Sequence, residues 1–155
     1  MAPPNLESGV LVWRKKLPAS DALQVQPGSK HVGGVRLTQA KFEIEPGIKI
    51  DQTTYFRQLF SGYKWTQETG RHRENDQEHC FVPMRVVIPN RDLGIHTFEI
   101  THKPSGEAQQ GNYTDSLRWG GLIPTIMAIN LTNHVFSLYE TPDAGTDFLI
   151  VISKN

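Results

Sequence analysis

Apolar and polar residues alternate with a period of two in several stretches of this chain, the spacing of a half-buried strand. "CFVPMRVVI", residues 80 to 88, is the clearest case, with Cys80, Val82, Met84, Val86 and Ile88 on one face. "NRDLG" supplies turn residues and "IHTFEITH" a second strand, so the pair predicts a hairpin. "GVLVWRKKL", residues 9 to 17, starts apolar and ends basic, as a strand leaving a core for a charged surface does. In "VRLTQAKFEI" Val35 and Leu37 share one parity while Ala40, Phe42 and Ile44 share the other, which predicts a strand with a bulge or sharp bend. "HVFSLYE" and "FLIVIS", joined by "TPDAG", predict a terminal hairpin.

Two segments change period. Tyr55, Phe56, Leu59 and Phe60 recur at helical spacing behind Asp51 and Thr53, either of which can cap a short helix. "LIPTIMAINL" places Leu122, Ile126, Ile129 and Leu131 for a second one, with Pro124 tolerated near its start. Six or seven strands, two short helices and no βα alternation predict a mainly β domain, a mixed barrel with helices at its ends. Residues 1 to 8 read as a linker or disordered N-terminus and residues 9 to 155 as one domain, without internal repeats.

The connections are less ordinary. "PASDALQVQPGSKHVGG" is a turn-rich loop, "TQETGRHRENDQEH" is polar throughout, and "HKPSGEAQQGNYTDSLRWGG", residues 102 to 121, is nearly all hydrogen-bonding side chains. A polar connection of roughly fifteen residues inside a compact domain is expected to be functional or disordered.

Composition narrows the classes. With 155 residues and a single cysteine, Cys80, the chain suits one domain without an internal disulfide, and a reducing, cytoplasmic setting is expected. No apolar stretch nears the eighteen or so residues of a membrane span, and "MAPPNLESG" lacks signal-peptide regions, so no membrane partner is expected. Net charge is zero, but residues 1 to 41 carry six cations against two acids, and the remainder balances that +4. A neutral protein can still present one basic face.

Catalytic chemistry is hard to find. His72, His79 and Cys80 lie among Glu74, Asp76 and Glu78, yet without a recognised zinc spacing, and a solvated charged loop is the plainer reading. Cys80 begins an apolar strand face and reads as core. A Glu-x-Lys or His-x-Lys nuclease signature, a G-x-S-x-G elbow and a glycine-rich phosphate loop are all missing. No catalytic residue, metal or cofactor is assigned.

The polar stretch suits recognition better. Arg or Lys pairs with guanine, Asn or Gln with adenine, and Asp or Glu with cytosine at the edges of the major groove. Lys103, Ser105, Gln109, Gln110, Asn112, Tyr113, Thr114, Ser116 and Arg118 are competent hydrogen-bonding groups, with Glu107 and Asp115 as the few acids, and "WRKK" can supply the phosphate contacts that set position. Two other readings compete with it. One is a small metal-dependent nuclease around His72 to Cys80, and the other is a carbohydrate- or protein-binding barrel with Trp13, Trp65 and Trp119 as a stacking platform.

"GVLVWRKKLPASDA", "GGVRLTQAKFEI", "IDQTTYFRQLF" and "HKPSGEAQQGNYTDSLRWGGL" together resemble the C-terminal DNA-recognition domain of NgoFVII-type restriction endonucleases, over roughly residues 9 to 152. In that family the domain follows a phospholipase-D-like nuclease. More distantly the chain is similar to the effector domain of EcoRII-type enzymes and to the DNA-binding domain of plant auxin-response factors. The resemblance implies a seven-stranded open β-pseudobarrel with two short α-helices and two arms that enter the major groove of double-stranded DNA. It puts Arg14, Lys15, Lys16, Ser20, Asp21 and Gln24 on or beside an N-arm, and Gln109, Gln110, Asn112, Thr114, Asp115 and Arg118 on a C-arm. It gives Trp119 and Gly120 the structural role of anchoring the return of the C-arm. It also implies a covalently linked nuclease domain as partner, a prokaryotic, DNA-associated setting, and no cleavage by this chain itself. The match of side chain to base does not carry over, because the arms vary with the sequence they read.

Overall fold

The computed structural model describes residues 9–24, 34–37, 43–45, 47–49, 54–67, 78–102, 115–141 and 145–154. Residues 1 to 8, the expected linker, and most of the polar stretch, including Gln109, Gln110, Asn112 and Thr114, lie outside them.

The chain is mainly β, a curled, open half-barrel with two short helices. Its strands are β1 (Val10–Lys16), β2 (Gly34–Arg36), β3 (Glu43–Glu45), β4 (Ile48–Lys49), β5 (Thr66–Gln67), β6 (Glu78–Ile88), β7 (Arg91–His102), β8 (Ser116–Arg118), β9 (Val135–Glu140) and β10 (Phe148–Ser153), and its helices α1 (Tyr55–Leu59) and α2 (Ile123–Ile129). Seven strands follow the order β1-β9-β10-β6-β7-β8-β2, with β5 added to β6, while β3 and β4 pair apart. Neighbours are antiparallel except β10 and β6, which run parallel from Phe148↔Met84 to Val151↔Val87.

The period-two pattern explains the long hairpin. Cys80, Val82, Met84, Val86 and Ile88 are all buried, as their shared parity predicts, and face Phe98 and Ile100 of β7 in the core. Asn90 closes the turn at φ 62°, a left-handed conformation that asparagine tolerates better than most residues. Near the turn a bulge between Val86 and Val87 is held by Asp92, which pairs with Arg85 and accepts the Gly94 amide at 2.9 Å.

Edge-to-face aromatic rings fill the barrel. Trp13 meets Phe56 at 5.4 Å and Phe136 at 5.7 Å between centroids, and Trp119 meets Phe136 at 6.1 Å. Helix α1 owes its docking to Phe56 and to Phe60 just beyond it, one turn apart and both fully buried, the latter against Phe148 of β10. Its Tyr55 hydroxyl donates to the Val12 carbonyl of β1. Helix α2 carries Pro124 at its first turn and buries Ile126, as expected, and ends at Asn130 with φ 48°.

Within "VRLTQAKFEI" the described residues divide between two sheets, Gly34–Arg36 in the main one and Glu43–Glu45 in the separate two-stranded one. Ala40 and Phe42, which carry the parity change, lie outside the described residues.

Candidate nucleic-acid interface

The two ends of the seven-strand path, β1 and β2, share no backbone ladder among the described residues. Side chains bridge them instead. Lys15 of β1 points inward with Trp13 and Leu17, and its Nζ donates to the carbonyl oxygen of Arg36 in β2 at 2.8 Å and to Asp21 Oδ2 at 2.5 Å. Trp119, just after β8, donates its Nε1–H to the Asp21 carbonyl at 2.8 Å. The Leu37 amide, just after β2, donates to the Asp115 carbonyl at 2.8 Å. This seam therefore fixes β1, β2, β8 and the turn at residues 18–24 relative to one another.

Both polar connections are rooted at that seam. The one after β1 folds through Ala22→Pro18 and Gln24→Ala19 backbone hydrogen bonds, and the Gln24 side chain donates to the Met127 carbonyl of α2 at 2.8 Å. The connection after β7 leaves from His102 and returns at Asp115, and these two buried side chains are hydrogen-bonded across 2.8 Å. One residue pair further in, the Thr101 and Ser116 hydroxyls hydrogen-bond at 2.6 Å. Strand β8 separates the roots, with Gly34 opposite Arg118 at one end and Arg36 opposite Ser116 at the other. Three residues of strand rise and one strand spacing put Gly34 and Asp115 roughly 11 Å apart.

The sequence candidates divide accordingly. Arg14 and Lys16 are exposed on the face opposite Lys15, and Ser20 is half-buried at the turn. Lys15 and Asp21 instead form a buried pair, 9% and 1% exposed, so neither side chain can meet a duplex without breaking the seam. The alternation already holds this result, since "WRKKL" puts Lys15 on the parity of Trp13 and Leu17, although its charge argues for the surface. Gln24 is turned to α2, and Asp115 is buried at the root of its connection. Arg118 is part-exposed and meets Glu99 of β7 at 3.2 Å. Gln109, Gln110, Asn112 and Thr114 lie outside the described residues.

The sheet's outer face adds residues that the motif reading missed. Arg36 is exposed beside Ser116, and the Val35–Leu37 alternation would have placed it there. On the next row Phe81, Glu99, Arg118 and Gly34 stand opposite one another across four strands. Glu99 takes Arg118 on Oε1 and His79 Nδ1 on Oε2, the latter at 2.8 Å.

Trp13 and Trp119 are wholly inside the core, and Trp65 is part-buried with its Nε1–H on the Phe60 carbonyl and the Arg57 guanidinium 4.5 Å above its ring. The three tryptophans therefore offer no common stacking surface. Cys80 is fully buried, and burial pushes its thiol up to about 12, away from nucleophilic use. Among the described residues no three His, Cys, Asp or Glu side chains gather to hold a metal ion, and His72, Glu74 and Asp76 lie outside them. Among them, too, no helix is long and apolar enough to cross a membrane.

No family model, curated protein or solved structure matches the chain.

Proposed function

We propose that this chain binds double-stranded DNA in a sequence-specific manner, with the connections after β1 and β7 as two arms in the major groove. The observation that carries the reading is the common root of the two connections. A pair of polar segments leaving points roughly 11 Å apart suits a groove about 12 Å wide. Exposed Arg14, Lys16 and Arg36 flank that root and offer the phosphate contacts that fix register. The half-barrel shape and the sequence resemblance favour the same reading, and with it a role as the target-recognition domain of a restriction endonuclease whose cleavage is done elsewhere.

Selection of bound duplexes from a randomised pool tests it. A recovered consensus of defined length, bound with an affinity that falls steeply with salt, is the expected result. Recovery of no consensus sinks sequence-specific recognition, and salt-insensitive retention sinks DNA binding itself.

A further inference from the structure

On this face Glu99 holds two cationic or potentially cationic partners. Its Oε1 meets Arg118 at 3.2 Å and its Oε2 meets His79 at 2.8 Å, with side-chain exposures of 21% for Glu99, 39% for Arg118 and 21% for His79. All three stand on adjacent strands, because Glu99 is opposite Arg118 in β8 and opposite Phe81, two residues from His79, in β6. Arg118 is two residues from Ser116, where the connection after β7 is rooted. The guanidinium thus stands at the base of one proposed arm, next to the end of the other at Gly34.

Resting on the DNA-binding reading, we propose that Glu99 is a positioning residue for Arg118. His79, on the second oxygen, fixes the carboxylate from its other side, so the guanidinium is offered to the duplex in one orientation and can favour one base pair.

The measurement is fluorescence anisotropy of the whole chain on a duplex selected from the random pool and on a single-base variant of it. Glu99→Gln keeps the shape but loses the charge, so it should bind both duplexes more tightly while discriminating roughly threefold less between them. His79→Gln, which frees the carboxylate on its other side, should move discrimination in the same direction. Glu99→Ala and His79→Asn replace any variant that circular dichroism shows unfolded. Undiminished discrimination in the Glu99 variants overturns the positioning role, and undiminished discrimination in the His79 variants overturns the part given to His79. A wild type that binds no duplex overturns the underlying reading as well, and so separates that failure from the other two.

Discussion

Lys15 donates to the carbonyl oxygen of Arg36 at 2.8 Å, and these two residues belong to the strands at opposite ends of the seven-strand path. A single ammonium group thus spans the gap left by an open barrel. Asp21 neutralises it from within the core. Breaking a buried ion pair by removing one partner strands the other charge, at a cost of about 3–5 kcal/mol. Lys15→Met is expected to lose stability on that scale in urea denaturation. The double variant Lys15→Met with Asp21→Leu, which removes both charges, should recover much of the loss. A single variant within 1 kcal/mol of wild type would count against the seam.

Gly34 tests the same seam from the other strand. A Cβ built there falls 2.2 Å from the Leu117 carbonyl oxygen and 2.7 Å from the Arg118 Cα, both backbone atoms that cannot swing away. Gly34→Ala must push β2 off β8, so a cost at or beyond the ~1–3 kcal/mol of ordinary overpacking is expected. Hydrogen exchange locates the damage. The amides of Val35 and Leu117 should lose protection while those of β6 and β9 keep it, and a uniform loss would mean a general effect instead.

The contrast between Lys15 and its neighbours shows where the sequence was legible. Alternation identified β1 and β6, which have one wetter and one dry face, and the turn residues of "NRDLG" and "TPDAG" identified β7, β9 and β10 as hairpin partners, although β9 and β10 bury consecutive residues. Strand β8 was hidden, since Ser116, Leu117 and Arg118 hold one apolar side chain in a polar neighbourhood and become a strand only by pairing with both β7 and β2. The parallel contact of β10 with β6 joins segments about sixty residues apart and leaves no local mark. At the site, the basic run and the resemblance placed Lys15, and the resemblance placed Asp21, on or beside a binding arm. Their burial depends on a seam that only tertiary structure creates. Arg14, Lys16 and Arg36 were open to the simpler rule that inward and outward residues alternate.

Asp92 and Cys80 contribute to the response to pH with opposite signs. The Arg85 guanidinium, helped by the Gly94 amide, holds the Asp92 carboxyl below its ordinary 3.8. A carboxyl depressed on folding stabilises above its unfolded value, and that contribution is lost as pH falls through the folded one. Cys80 behaves inversely. Burial raises its thiol from 9.0 to about 12, so its contribution is intact below pH 9 and is lost between those values as the unfolded chain releases its proton first. Melting curves should therefore show Asp92→Asn less sensitive than wild type to acid below pH 4, and Cys80→Ala less sensitive to alkali above pH 9. An aromatic disulfide reagent at pH 8 should modify native Cys80 only at the unfolding rate. Fast native labelling would contradict the burial.

The final prediction separates the three basic residues of "WRKK" by what each does. Arg14 and Lys16 are exposed, whereas Lys15 is committed to Asp21 and Arg36. A phosphate contact carries no sequence information, so its loss weakens all duplexes alike and lowers the slope of log affinity against log salt by about 0.9. Arg14→Ala and Lys16→Ala should each behave this way, with unchanged melting temperature. Lys15→Met should instead lower the melting temperature and leave the salt slope of the surviving folded fraction where it was. Gln110→Ala, in the connection after β7, should spare the slope but relax the preference at one base pair, by about 1–3 kcal/mol. Titrations of the four variants on the selected site and on unrelated DNA, at four salt concentrations, decide among these patterns. A full salt slope in both Arg14→Ala and Lys16→Ala, with stability intact, would move the duplex away from the outer face of β1 and leave the common root of the two connections without its phosphate anchors.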